Sequence, residues 1–531
     1  MIENKGLSSN SEEIPSANSS EDAEGSNEFQ VQERSMKIRL LPHPTDDPRD
    51  PLNWTTRKKV RVLAVICFAV FSGIAAPLTG QLNLMQQAKL YHKTVFQMAY
   101  SSAAGTAGLA SGGFFLAPLA HKFGKSSIIF WSLVGCFAAQ IWAPCMTGRE
   151  NYNAYVVSRF VSGFFGGLIP VLGPRILVDI FFLHQRGRAF TAFHMSLDFG
   201  TLVGPTFSAF ISAKTNWPAE YWWSVALIAV SAICVFLFIE DTSYDRTPGA
   251  VNAKPAKTFL QNRLATFFFG TKVVRQKPWS SIIRMAAIPF RIAVTPVAVT
   301  MGGFALVSFG FYIAFNSLTP IWLQKPKRLG GYGFTVEDNA YFNMVHWIGL
   351  AFAITYSYSI SDCLPLYLTA RYGGTWKPEY RLHALWLPSF ILSPLGLALT
   401  AIGLHYRLHW IILAFGSLFL TIGALTLLPV IVNYACESFI YHSAEASQVI
   451  SLYRLAFGLS IPFFISGWVD TVGLGWVYGM MALFALFCFG FVILLIWKGH
   501  EIRSLSAKSL NMSEDGEKIV QTVGPRNTLH A

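Results

Sequence analysis

Apolar runs of 18 or more residues recur along this chain, separated by short stretches rich in Lys, Arg, Gly and Pro. A run of that length, wound as a helix at about 1.5 Å per residue, crosses the roughly 30 Å hydrocarbon core of a bilayer. The pattern predicts spans at about 60–84, 97–120, 126–146, 153–178, 189–212 and 221–239, and then at about 291–322, 340–361, 383–403, 409–434, 447–469 and 474–497. The expected fold is an all-α membrane protein, twelve transmembrane helices in two pseudo-symmetric six-helix bundles. Its divisions are a disordered cytosolic N-terminus with an interfacial anchor (1–56), a first bundle (57–239), a central cytosolic loop (240–288), a second bundle (289–497) and a cytosolic tail (498–531).

Charge refines this picture. Only 13% of the residues are charged, against 53% hydrophobic, where a soluble protein carries about 25% charged. The net charge of +12 raises the idea of a nucleic-acid partner, but the basic residues cluster in short loops between apolar runs. His121, Lys122 and Lys125 follow the second span, and Arg186 and Arg188 the fourth, which is the positive-inside pattern with both termini cytosolic. Lys325, Lys327 and Arg328 depart from it, falling in an outside loop. The expected partners are therefore the lipid bilayer, a small-molecule substrate and protons, with no nucleic acid and a monomeric chain. The plasma membrane is the expected location, with the endoplasmic reticulum and vacuole as alternatives. Seven scattered cysteines show no metal-binding or disulfide spacing.

One span departs from uniform apolarity. Thr191–Ile211 carries His194 and Asp198 in its interior, four positions apart and so on one helical face. A charge at bilayer depth normally faces a pathway or a partner. Asp198 is then a proton carrier or cation anchor, or else half of a fixed ion pair. His194 shares the proton or is a polar packing residue. Arg159, about two turns into span four, is placed to approach Asp198, or else to bind backbone carbonyls permanently. Asn343 and His346 in span eight, and Tyr434 with Asn433 in span ten, are further candidates for the pathway. Asp179, Arg175 and Arg186 at the cytosolic end of span four, and Glu437 and Glu445 with Arg454 near the cytosolic ends of spans ten and eleven, form two charged clusters that act as gates or as solvated end charges. Span seven carries Phe304, Phe309, Phe311, Tyr312 and Phe315, with Asn316 beyond, a source of packing and of an aromatic site for an organic cation.

Three stretches carry a resemblance: Asp47-Pro-Arg-Asp-Pro-Leu-Asn-Trp54, Asp241-Thr-Ser-Tyr-Asp-Arg246 and Pro378-Glu-Tyr-Arg-Leu382. With the 6+6 layout, they resemble the major facilitator superfamily over about residues 40–500, specifically its fungal drug:proton antiporter-like twelve-span group, on a branch similar to polyamine and histidinol-type cation transporters. The resemblance implies alternating access between two bundles. It also places Lys122, Gly124 and Lys125 at the basic end of a loop motif, with Ala117 where the family has Gly and His121 where it has Asp. In the second half Asp362 stands at that acid, with Arg371 nearby. Arg159-x3-Gly163-x2-Gly166-Gly167 resembles the family's buried-arginine motif. Gly200-x3-Gly204-Pro205 resembles its antiporter motif, with Ser208-Ala209 in place of the terminal glycines.

No Gly-x4-Gly-Lys-Ser/Thr loop, nucleophile–base pairing or metal-ligand spacing occurs. The expectation is a protein that is not an enzyme and uses no cofactor or metal. It is expected to be a proton-coupled secondary transporter of small organic cations or amphipathic drugs, polyamine-like substrates among them. Two alternatives stand beside this reading. Basic residues lining the cavity would favour a transporter of neutral or anionic nutrients, and a fold with no central cavity would favour a non-transporting receptor or scaffold.

Overall fold

A computed structural model describes Thr45, Asp47 and residues 49–244, 258–268, 279–360, 363–372, 376–439 and 442–510. The polar segment expected to be disordered before Thr45, the tail after 510 and the motif acid Asp362 lie outside the described residues.

The described residues are overwhelmingly helical. Ten helices among them are long and apolar enough to cross a membrane, including Thr56–Leu78, Pro296–Gln324 and Leu474–Ser509. Helices suit this setting because they satisfy every backbone N–H and C=O within one segment, which hydrocarbon cannot do. Two further long helices, Leu183–Lys214 and Val336–Ser359, stand where the fifth and eighth spans were expected but are not among those ten. They fall short because they carry polar side chains: His194 and Asp198 on the first, Asn339, Asn343 and His346 on the second.

The structure differs from the sequence pattern at several helix ends. The first helix stops at Leu78, just after Pro77, and a separate short helix, Leu84–Tyr91, follows. The fourth span breaks after Gly166 and resumes at Ile169. Pro170, whose missing N–H costs nothing in a first turn, starts the second piece. The ninth opens with tight and wide helical turns over Pro378–Leu392 before regular helix begins at Ser393, as expected where Pro388 and Pro394 remove hydrogen-bond donors. The central loop holds two helices that apolar length alone did not mark, Phe259–Phe267 and Trp279–Ala293.

The Asp198 helix, Leu183–Lys214, packs along Thr56–Leu78 on one side and Val336–Ser359 on the other. Val95–Leu116 likewise lies between Tyr152–Gly166 and Ser443–Val472. Helices before and after the central loop thus meet along two seams. Glycines set the depth of the first packing. A Cβ at Gly200 would fall 2.7 Å from the Phe71 carbonyl oxygen, and one at Gly204 only 2.4 Å from that of Ala75. Close backbone approach of this kind replaces the hydrophobic drive that lipid does not supply between helices.

Gly204→Leu is therefore expected to force the two backbones apart, at a cost of about 1–3 kcal/mol or more. It should lower the thermal unfolding midpoint of the detergent-purified protein. Gly479→Leu, where an added Cβ meets nothing within 4 Å, should leave the midpoint in place.

Candidate functional site

A cavity lies between helices from both sides of the central loop. Leu78, Leu109, Val171 and Leu202 line it from one side, and Phe309, Ile313, Leu452 and Leu455 from the other. Its polar lining comprises Gln81, Thr106, Thr201, Tyr312, Asn316, Asn343, Gln448, Ser451 and Arg454. Phe309, Tyr312, Ile313 and Asn316 reach it together because their spacing puts them on one face of Pro296–Gln324. The other aromatics of that helix pack elsewhere: Phe304 against Phe489, Phe311 against Phe457 and Phe315 against Tyr478.

Arg454 is the one charged residue in the lining. It was expected beside Glu437 and Glu445, but it sits eleven positions past Ser443, the start of its helix, about 16 Å along at 1.5 Å per residue. The acids stay near the helix end. Its guanidinium lies 4.9 Å from the centroid of the Phe309 ring. Among the described residues it makes no hydrogen bond and no ion pair within 4.0 Å, and Nε is buried without a partner. Asp198, fully buried one turn before the cavity-lining Thr201, lies within electrostatic reach of Arg454. Neither Asp198 carboxylate oxygen has a hydrogen-bond partner among the described residues. His194, one turn away, is also within the electrostatic reach of Arg454. Its Nδ1 lies 2.8 Å from the Phe190 carbonyl oxygen. A buried pair that lacks supporting hydrogen bonds recovers little of its desolvation cost, which runs to several kcal/mol per ion.

The structure does not bring Arg159 to Asp198. Arg159 Nη2 donates to the carbonyls of Pro77 and Thr79, and its guanidinium lies 5.1 Å from the Tyr221 ring centroid. Those carbonyls belong to the end of Thr56–Leu78, where the last turn of a helix leaves acceptors unpaired. Asp198 lies further back, since Gly200 on its helix is level with Phe71. Close to Arg159 is a carboxylate that sequence reasoning missed, Glu220. It is fully buried, accepts from Asn83 Nδ2 and, at 3.2 Å, from Gln87 Nε2, and interacts electrostatically with Arg159. Glu220 opens its helix right after Trp217-Pro218, so in sequence it reads as an end charge.

Asn343 lines the cavity and donates to Thr206 Oγ1 at 2.6 Å. His346 does not line it: its Nδ1 meets Thr421 Oγ1, and its ring lies edge-on to Tyr312 and Phe315. Tyr434 does not line it either, being buried nearer the loop end, close to Glu379 and Glu437. Pro205 does line it, on the helix whose Gly200 and Gly204 face the opposite neighbour.

The charges at the end of the molecule nearest the central loop sort into separate pairs. Lys125 pairs with Asp179, which also accepts from Thr242 Oγ1 at 2.8 Å. Gly124, at φ +89, forms the sharp corner before Lys125. Nearby, burial pushes the Asp241 carboxyl above the usual carboxylate range, against the opposing charge of Lys125. Lys122 lies 5.8 Å from the Phe123 ring centroid. Arg186 donates to the carbonyls of Phe181 and Val178. Glu437 accepts from Arg381 Nε at 2.7 Å and Trp376 Nε1 at 3.3 Å. Arg371 is exposed at the end of Cys363–Arg371.

Arg175 and Glu445 cross the seam. Arg175 Nη2 donates to Glu445 Oε1 at 3.1 Å, while Nη1 lies 3.3 Å from His121 Nε2. Gln448 Nε2 donates to the Gly113 carbonyl at 3.1 Å alongside. At the opposite end neutral groups close the seam, Gln324 Nε2 to the Leu82 carbonyl at 2.7 Å and Phe96 against Trp322, while beside the cavity-lining Asn343 Trp347 Nε1 donates across it to Thr206 Oγ1 at 3.2 Å.

A family model described as the Major Facilitator Superfamily matches residues 60–463. The chain is 25% identical over 469 residues to the efflux pump radE of Floropilus chiversii, covering 86% of this chain and 84% of that one. It is 26% identical over 477 residues to the MFS-type transporter penM of Penicillium rubens, covering 86% and 88%. Among solved structures it resembles the peptide transporter POT in complex with sulfate, with a TM-score of 0.57 at 13% identity over 85% of this chain and 95% of that one. It also resembles the xylose transporter XylE from E. coli in a partially occluded inward-open conformation, with a TM-score of 0.55 at 11% identity over 83% and 97%. These two likenesses carry the fold.

The Arg175–Glu445 pair is expected to hold the loop end shut. In a background with the exposed Cys145 and Cys363 replaced by Ser, Ser451→Cys in the cavity wall should react slowly with a membrane-impermeant thiol reagent added from that side. Arg175→Ala should accelerate the reaction several-fold. An unchanged rate would show that the pair is not a latch.

Proposed function

The chain belongs to the major facilitator superfamily, and on that footing we propose that it is a proton-coupled secondary transporter of amphipathic organic molecules, working by alternating access. The observation that carries this is a buried carboxylate, Asp198, without a hydrogen-bond partner among the described residues, within electrostatic reach of a buried arginine on the wall of a cavity between the two sets of helices. A carboxylate held so loosely can take up and release a proton as its surroundings change, and intramembrane acids mark such relays.

In the proposed cycle cargo enters the cavity between helices before and after the central loop, Asp198 changes protonation, and one end opens as the other closes. The loop end, where Lys125–Asp179 and Arg175–Glu445 gather, is the cytosolic end in this reading, and both termini lie on that side. The plasma membrane is the proposed location. A polyamine finds little here to bind it: several ammonium groups call for several carboxylates, and the lining contains none. The apolar lining supports the amphipathic part of the expected cargo range instead.

The test is flux in proteoliposomes with an imposed pH gradient, scoring both directions with a panel of amphipathic substrates. Wild-type flux should follow the gradient. Asp198→Asn should lose that dependence while still exchanging cargo at equal pH. An unchanged pH dependence in Asp198→Asn would sink the role given to this carboxylate.

A further inference from the structure

A guanidinium in an apolar wall needs a counter-charge, and two places in this cavity can supply one: Asp198 behind the wall and the cargo in front of it. We propose that the cargo carries a carboxylate that seats on Arg454, and that Asp198 binds a proton as this anion arrives. The inference rests on the transporter reading above and names the substrate class of that same cavity.

The lining selects for such a molecule. Arg454 brings the only charge, and it is positive. Its donors are not engaged by any described residue, and Phe309 supports one face of the group. A planar fork of N–H donors matches the two oxygens of a carboxylate. The Tyr312 hydroxyl, also on the wall, is buried without a hydrogen-bond partner among the described residues and supplies a further donor. Leu109, Phe114, Val171 and Ile313 provide an apolar surface for the rest of the cargo. An organic cation would meet repulsion from Arg454 and find the Phe309 face already occupied.

The coupling follows from charge balance. Asp198 and His194, on the Leu183–Lys214 helix, lie within electrostatic reach of Arg454, and Tyr312, from Pro296–Gln324, within that of Asp198. His194 is tied to the Phe190 carbonyl, which leaves Asp198 as the anion of the group. In a low-dielectric site one positive charge stabilises one negative charge well, and a second one poorly. With Asp198 ionised, the guanidinium already has its counter-charge. With Asp198 protonated, the cargo carboxylate takes its place and the site stays neutral. Anion and proton therefore bind together.

The test uses the full chain in lipid nanodiscs, titrated calorimetrically with three matched probes: 2-naphthylacetate, 2-naphthylacetamide and (2-naphthylmethyl)trimethylammonium. Naphthylacetate should bind about tenfold or more tighter than the other two, a difference of about 1.4 kcal/mol. It should bind tighter at pH 6 than at pH 8, and Asp198→Asn should hold the tighter affinity at both. Arg454→Gln should abolish the anion preference while amide binding persists, which also shows that the variant is folded. Arg454→Lys, which keeps the charge without the fork, should retain part of the preference. Preference for the ammonium probe, equal affinities that Arg454→Gln does not alter, or no binding of any probe would each overturn this assignment. Loss of gradient-driven flux in the liposome assay would instead overturn the transporter reading beneath it.

Discussion

Hydrocarbon cannot solvate a charge, so a charged side chain inside this molecule must be paired, capped or put to use. Among the described residues Arg159, Glu220, Arg454 and Asp198 are such groups, and they form two arrangements of opposite character. Arg159 and Glu220 form the better satisfied one, with only Arg159 Nη1 of the two side chains buried without a partner among the described residues. The arginine caps two backbone carbonyls, the carboxylate accepts from Asn83 and Gln87, and the hydroxyls of Tyr155 and Tyr221 meet at 2.8 Å beside them. Arg454 and Asp198 form an unsatisfied one, near enough to interact through space but joined by no hydrogen bond. The first arrangement resembles a fixed joint. The second keeps the electrostatic strain that a change of protonation or the arrival of a ligand can relieve.

The Asp198 helix is built to place that strain at a moving surface. Gly200 and Gly204 let it lie tight along Thr56–Leu78, while Thr201, Leu202 and Pro205 turn toward the cavity. Thr206 then meets Asn343 and Trp347 on the far side of the seam. A single helix thus carries close packing, a titratable group, part of the cavity wall and a cross-seam contact. A change of charge at Asp198 acts on a rigid element that already spans the gap between the two sets of helices.

Much of this was legible in the sequence, and the omissions have physical reasons. Apolar length gave the helices, because the bilayer fixes how many residues a span needs. Asp198 stood out because a lone acid in an apolar run is costly. Arg454 carries the same signal, being a lone cation well inside its helix, yet Glu437 and Glu445 lie near it in sequence and drew it into their cluster. Helical rise separates them, since nine residues past Glu445 is about 13 Å along the axis. Glu220 was hidden for the opposite reason: beside a proline and a helix start it has the pattern of a solvated end, and the chain around Gly80, Asn83 and Gln87 packs onto it. For Arg159 the backbone-carbonyl alternative is the one the structure takes, but which carbonyls it caps was not legible, since carbonyl oxygens at a helix end leave no mark in side-chain sequence.

The two ends of the seam are closed by different chemistry, and the difference sets what it takes to open each. At the loop end the closure is ionic: the Arg175 and Glu445 side chains are 9% and 17% exposed, partly buried but close to water. Parting them costs their Coulomb energy, but both ions then regain hydration, which leaves about 1 kcal/mol holding such a pair near solvent. At the opposite end Phe96 on Trp322 and Phe210 on Tyr341 close the seam. Parting them exposes apolar ring surface, at about 25 cal/mol per Å², and only the Gln324–Leu82 hydrogen bond beside them is exchanged for water. The ionic closure is therefore the softer of the two, and it weakens with salt and local charge in a way the aromatic one does not. Asp198 and Arg454 lie between the two closures, so a proton or an anion at the cavity acts on an equilibrium whose ends respond to different forces.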